Sequence, residues 1–383
     1  MRIVWSTLWF SDYRIPVFEA LSKIEGVDFY LVYSADANSE KINEKVKNAL
    51  GDRVIPMTGE KYFGKSEFDG FANKGFRIPY QPGLIKTVKS LKPDVLVSDG
   101  FFQWSYSTLF LRATKGIPHV MCYERTMHTE RNAQKIRTLY RKLALRWIDV
   151  VCCSGSLCQE YVRYLGFDGP LTEGFMVADV KAFNKNLLAE GYKENENEEV
   201  DELEVIDYLF VGRLIELKGI VQLIDAWKKF VQDSNVNARL TIIGGGELED
   251  YVKKETLNEN SILFKGEVKY DEVPKYYLKA DIFILPTLED NWSLVVSEAM
   301  ASSLPIITSI YNGCYPELVT KENGWVMDPL NAKDFLDTLQ QSYNARHSFA
   351  NMGKKSLQLL DGYTPESAAL SVYKSCELAL NRN

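Results

Sequence analysis

Two segments of this chain collect residue types suited to a phosphorylated, hydroxyl-rich ligand. The first is YLFVGRLIELKGI, residues 208–220, where an apolar run ends at Gly212 and is followed by Arg213 and, five residues on, Lys218 and Gly219. A guanidinium that can grip two oxygens, beside an ammonium point charge at the carboxyl end of a buried strand, suits a diphosphate. The same pattern also describes a turn with solvated charges. The second segment is PTLEDNWSLVVSEAMASSLPII, residues 286–307, in which a strand ends at Pro286 and a helix starts near Trp292 or Ser293. Asp290 then stands in the loop before the helix and Glu298, eight residues later, about two turns inside it, so both can face one cleft. The helix start, at Asn291, Trp292, Ser293, Leu294 and Val295, offers N–H groups and the positive end of a dipole to a diphosphate without a metal. The carboxylates are then left for hydroxyls. Taken singly, Asp290 reads more readily as a helix cap and Glu298 as a solvated helix charge, the commoner fate of either residue alone.

Other candidates carry less. Glu124 and Arg125 follow the apolar run 119–123, and Asp99 closes DVLVSDG ahead of Gly100; each can point at a ligand or pair internally. His128 stands near a helix start, where a lone histidine is ordinarily a polar surface residue. Gly244, Gly245 and Gly246 can cradle phosphate, but by themselves they read better as a tight strand-to-helix turn. Asp-x-Asp, the usual carboxylate pair of metal-dependent sugar-nucleotide chemistry, occurs nowhere in the chain.

Elements to position these residues are legible in the alternation of short apolar runs (2–6, 27–33, 94–99, 119–123, 150–154) with amphipathic stretches (15–23, 83–91, 103–114, 130–147). That rhythm predicts a doubly wound α/β lobe with right-handed crossovers. Residues 190–204, EGYKENENEEVDELE, are acidic and nearly free of large apolar side chains, which predicts a linker. The rhythm then restarts, with strands at 207–212, 239–243, 262–264, 282–286 and 306–309 and a helix at 221–233. Two Rossmann-like domains facing a central cleft are therefore predicted: 1–189, and 205–364 after the 190–204 linker, with a terminal helix in 365–383 packing back on the first.

Composition excludes several functions. The 383 residues exceed one ordinary α/β core, and a formal charge of −7 argues against nucleic-acid binding, which needs clustered cations. Six cysteines without C-x-x-C spacing, several in apolar runs, predict buried free thiols and a reducing compartment; with three histidines, no metal site is expected. The start MRIVWSTLWF lacks the charged and apolar regions of a signal peptide, and no stretch reaches the length of a membrane span, which predicts a cytoplasmic location. One stretch departs from the acidic balance. RNAQKIRTLYRKLALR, residues 131–146, carries Arg131, Lys135, Arg137, Arg141, Lys142 and Arg146 and no acid. On a helical wheel its apolar residues gather on one face with the cations on the other, which suits either an ordinary sheet-covering helix or docking at an anionic membrane surface.

Together the two opening segments resemble the retaining GT-B glycosyltransferases of the large fourth sequence family, the glycosyl transferases group one. That family's G-R-x4-K-G turn and Glu-x7-Glu motif fall here on Arg213, Lys218, Asp290 and Glu298. LTIIGGGELEDYV (240–252), ILFKGEV (262–268) and SSLPIITS (302–309) resemble its glycine-rich strand end, base-binding segment and small-residue approach to the next strand. The motifs cover about 205–330; before that the likeness is architectural. The chain departs from the family in having Asp290 for the first glutamate and Glu124, in CYERTMH, where many members carry a histidine; the amino-terminal glycine pair is replaced by WFSDYR, 9–14.

The resemblance implies a retaining, metal-independent hexosyl transfer from a UDP- or GDP-type nucleotide diphosphate sugar, with no other cofactor, to a glycan or lipid-linked glycan in surface polysaccharide or glycoconjugate synthesis. It implies diphosphate on Arg213 and Lys218, base near Glu267 and Val268, ribose on Glu298, sugar by Asp290, and Glu124 on the acceptor side. The rival readings are a GT-B epimerase acting on the nucleotide sugar and a non-catalytic binding subunit.

Overall fold

The computed structural model describes residues 1–64, 78–178, 180–183, 205–233 and 236–382; the linker expected at 190–204 lies outside them. The chain divides into two compact units, residues 1–179 with 363–383, and 180–362.

The first unit is built on β1 (Arg2–Thr7), β2 (Asp28–Ser34), β3 (Val54–Met57), the small antiparallel pair β4 (Lys61–Phe63) and β5 (Ile78–Tyr80), β6 (Val95–Asp99), β7 (His119–Tyr123), β8 (Val150–Cys153) and β9 (Leu171–Glu173). Seven of these form a parallel sheet in the order β3-β2-β1-β6-β7-β8-β9. Helices cover both faces, which is why β6, β7 and β8 read as unbroken apolar runs rather than alternating ones. Helix Pro365–Leu380, started by a capping box between Thr364 and Ser367, packs on β7, β8, β9 and helix Ile15–Ser22. Thr172 and Ser375 join it to β9 at 2.6 Å. The six cysteines are buried and free.

The second unit carries β10 (Ile206–Val211), β11 (Ala238–Ile243), β12 (Ile262–Gly266), β13 (Ile282–Leu285), β14 (Ile306–Ser309) and β15 (Gly324–Met327), all parallel, in the order β12-β11-β10-β13-β14-β15. Sequence order reverses direction between β10 and β13, and ligands of open parallel sheets bind outside the carboxyl ends of strands at such a reversal. The strands absent from the sequence expectation are β3, β9 and β15, edge strands of their sheets, and the antiparallel pair β4 and β5. They are three or four residues long, too short to show a period.

One helix differs from its expected form. The amphipathic stretch at 130–147 becomes helix Lys135–Ala144 and a 3-10 turn Leu145–Trp147, preceded by a turn in which Thr126 and Thr129 bond each other. Its cations do not all face outward: Arg141 is 3% exposed, bonded to Glu130 at 2.7 Å and to the Tyr161 hydroxyl at 2.9 Å. The apolar side chains Ile136, Leu139 and Leu143 are the exposed ones.

Candidate active site

The two loops flanking the switch point of the second unit are stitched together backbone to backbone. Beyond β10 the chain passes Gly212 and Arg213 and makes a 3-10 turn, Glu216–Lys218; beyond β13 it runs from Pro286 to Asp290. Leu217 O accepts from Leu288 N–H and the Thr287 hydroxyl, each at 2.8 Å. At Gly219, with φ +69°, an added Cβ would stand 1.9 Å from Pro286 O, so only glycine lets the loops close this far. The result is an ion pair between Lys218 and Asp290, whose side chains are 17% and 16% exposed.

Asp290 is held on every side. One carboxylate oxygen accepts the Trp292 N–H at 3.2 Å and the other the Ser293 hydroxyl at 2.6 Å, besides Lys218. Its backbone is clamped by the loop after β14: its N–H donates to Tyr311 O at 3.2 Å and its O accepts from Gly313 N–H at 2.9 Å. Burial would push this carboxyl up, but the Lys218 charge and these hydrogen bonds outweigh it and hold it below the usual aspartate range. Asp290 therefore braces the helix start and faces the cation expected to meet phosphate. Arg213, by contrast, is exposed, and no side-chain partner holds it among the described residues.

The helix begins at Leu294, just beyond the start expected near Trp292 or Ser293, with Ser293 as its N-cap. Of the five residues assigned there to an anion, Trp292 and Ser293 have buried side chains, and the Trp292 N–H is already taken by Asp290. Asn291, Leu294 and Val295 are half-buried; the last two head the first turn, where a helix leaves N–H groups unpaired. Glu298 is inside the fold rather than a solvated charge: 7% exposed, it accepts from the Tyr277 hydroxyl at 3.2 Å and the Tyr270 hydroxyl at 3.4 Å. Burial pushes its carboxyl up to about 7, against the downward pull of the two tyrosines. Glu267, exposed, and Val268, half-buried, follow the end of β12.

The glycine run beyond β11 serves packing. A Cβ on Gly244 would stand 1.8 Å from Gly212 O and one on Gly246 2.7 Å from Leu214 O, and Leu214 N–H donates to Gly245 O. Tyr270, Tyr277 and the β14 loop were not among the sequence candidates. Nothing local marks the tyrosines, whereas the Asn312-Gly313 turn signal after a strand could have drawn notice.

In the first unit, Glu124 is half-buried just beyond β7. Arg125 pairs with Glu130 at 3.7 Å, the internal option. Asp99 has both oxygens engaged, by Arg14 at 3.1 Å and the Trp5 indole N–H at 3.0 Å. His128 is half-buried. Among the described residues no three His, Cys, Asp or Glu side chains gather in a metal-binding group, and no helix is long and apolar enough to cross a membrane.

The sequence model of glycosyl transferases group 1 matches residues 192–358, nearly all of the second unit. The chain carries a group 1 glycosyltransferase domain. An uncharacterized glycosyltransferase of Methanocaldococcus jannaschii is 30% identical over 39% of this chain and 39% of its own length. The chain covers 47% of a second relative from that organism, so it spans about two fifths to one half of the first curated relatives it matches. Sulfoquinovosyl transferase SQD2 of Arabidopsis thaliana is 20% identical over 92% of this chain and 74% of its own. Among solved structures, Anabaena HepE in complex with UDP superposes with a TM-score of 0.70 at 11% identity, covering 98% of this chain and 100% of its own. The fold is that of the GT-B glycosyltransferases. Within the group 1 domain, Arg213, Lys218, Asp290 and Glu298 all stand on loops or helix turns that follow carboxyl ends of strands, while Glu124 belongs to the other unit.

Proposed function

We propose that the protein transfers a hexosyl-type sugar, with retention, from a UDP- or GDP-type nucleotide diphosphate sugar to a glycan or lipid-linked glycan in the synthesis of a surface polysaccharide or glycoconjugate. The observation that carries this reading is the meeting of the Arg213–Lys218 loop and the Asp290 loop at the β10/β13 switch point, beside the start of helix Leu294–Ala301. Arg213, Lys218 and the N–H groups at Leu294 and Val295 take the diphosphate, Glu298 the ribose, and Glu267 with Val268 the base. Asp290 faces the transferred sugar, and Glu124 serves the acceptor from the first unit. The acceptor hydroxyl attacks from the face the phosphate leaves, and a departing phosphate oxygen takes its proton. Catalysis on this scheme is positional and electrostatic, with cations and helix dipole neutralising the leaving group in place of a metal. UDP is the first nucleotide to try, since HepE of the same fold binds it. A lipid-linked acceptor places the protein at the cytoplasmic face of a membrane, reached through residues 131–146.

The test is incubation with a panel of nucleotide sugars, with and without a lipid-linked glycan, and with EDTA in a parallel arm. Acceptor-dependent nucleotide release that survives EDTA is expected, with the anomeric configuration kept in the product. Conversion of the nucleotide sugar without nucleotide release points instead to an epimerase, and tight binding with no turnover on any donor to a binding subunit. Activity lost to EDTA and restored by magnesium removes the metal-independent scheme.

A further inference from the structure

Exposed apolar side chains normally stand singly on a folded surface, but here several gather on one element. On helix Lys135–Ala144 and the turn that follows, Ile136 is 65%, Leu139 58%, Leu143 42% and Trp147 41% exposed, while Arg141 and Ala144 face the core. At 3.6 residues per turn, Leu139, Leu143 and Ile136 fall in one strip, and Lys135, Lys142 and Arg146, all exposed, in a second strip directly beside it. None of these three cations is in an ion pair among the described residues. Beside them opens a cavity of about 340 Å³, lined by Arg131, Lys135, Tyr161 and Tyr164 among others, with Glu130 at its wall held by Arg141.

A sheet-covering helix turns its apolar strip inward. This one anchors itself through Arg141, on Glu130 and Tyr161 and over the Phe102 ring, and leaves the apolar strip in water. The stretch 131–146 has no acid although the chain carries a net charge of −7, so the patch is locally opposite in sign to the molecule. An anionic bilayer supplies both complements at once, the acyl boundary for the leucines and lipid phosphates for the cations. We infer that helix Lys135–Ala144 lies in the plane of an anionic membrane, its Ile136–Leu139–Leu143 strip below the headgroups, Trp147 at their level, and Lys135, Lys142 and Arg146 on lipid phosphates. This deepens the membrane part of the function proposed above and rests on that part alone, not on the transfer reaction.

The test is co-sedimentation of the full chain with vesicles of phosphatidylcholine alone and of phosphatidylcholine with phosphatidylglycerol, at low and high salt. Three proteins are compared: the parent, Leu139→Ser with Leu143→Ser, and Lys135→Glu with Lys142→Glu. All four positions are exposed, so the fold is retained, and UDP binding serves as the control for the other unit. The parent is expected to prefer the anionic vesicles and to keep part of its binding at high salt. Removing the leucines should abolish the salt-resistant part, about tenfold or more in partitioning. Reversing the lysines should cost about fivefold or more per residue at low salt and little at high salt. If the leucine variant binds like the parent at both salt levels, insertion is wrong and only electrostatic docking remains. If the parent ignores vesicles but forms a dimer that the leucine variant does not, the strip is a self-association face and the membrane inference is overturned. Nucleotide release from a water-soluble acceptor reads the transfer reaction separately, so its failure and that of the membrane inference are told apart.

Discussion

Asp290→Asn sets two roles of one side chain against each other. In the free protein the substitution removes the counterion of Lys218 but keeps an acceptor for the Trp292 N–H. Breaking a buried ion pair costs about 3–5 kcal/mol and an exposed one about 0–1. With the two side chains 17% and 16% exposed, a loss of about 2 kcal/mol follows, a fall of roughly 6 °C in melting temperature for a unit of this size. Asn therefore does not spare thermal stability. A bound diphosphate supplies new negative charge to Lys218, so UDP should restore more stability to Asp290→Asn than to the parent. UDP affinity should stay level or rise, because Lys218 no longer divides its charge between carboxylate and phosphate. Turnover should nevertheless fall by roughly tenfold to a hundredfold, the worth of one charged hydrogen bond to the sugar in the transition state. Melting curves with and without UDP, calorimetric titration and nucleotide release measure the three quantities on one preparation. A tenfold loss of UDP affinity refutes the shared-cation argument, and undiminished turnover removes Asp290 from the sugar.

Lys218→Ala and Arg213→Ala should each weaken UDP binding by about tenfold or more while leaving uridine binding nearly level; equal losses for both ligands contradict the phosphate assignment. Glu298, pushed up to about 7 by burial, should bind ribose hydroxyls better once ionised, so nucleotide affinity should climb as pH rises from 6 to 8, and Glu298→Gln should flatten that profile. His119 is buried on β7 between the Ser98 hydroxyl at 2.8 Å and Trp147 O at 2.9 Å, and burial lowers its pKa from 6.5 to about 4. The unfolded chain then takes a proton that the folded one refuses, so stability present above pH 6.5 is lost as pH falls towards about 4, by roughly 3 kcal/mol. Denaturant midpoints across that window should slope less in His119→Asn, which can still meet Trp147 O; an unchanged slope assigns the acid loss elsewhere.

Whatever repeats along the chain at short range is legible in the sequence itself. The central parallel strands are covered on both faces and therefore stand out as continuous apolar runs; Arg213 and Lys218 follow one such run within a few residues and Asp290 another, with Glu298 eight residues beyond it. Edge strands of three or four residues carry no period and do not show in the sequence. What those side chains touch was decided by tertiary structure, because the partners come from distant segments. Lys218 meets Asp290 only when the loops after β10 and β13 close over Gly219, and Glu298 becomes a buried acid only because Tyr270 and Tyr277 arrive from the segment between β12 and β13. The same holds for helix Lys135–Ala144. A helical wheel separates apolar from charged residues but cannot say which face turns inward, and here Glu130 and Tyr161 draw Arg141 into the fold, leaving the leucines outside.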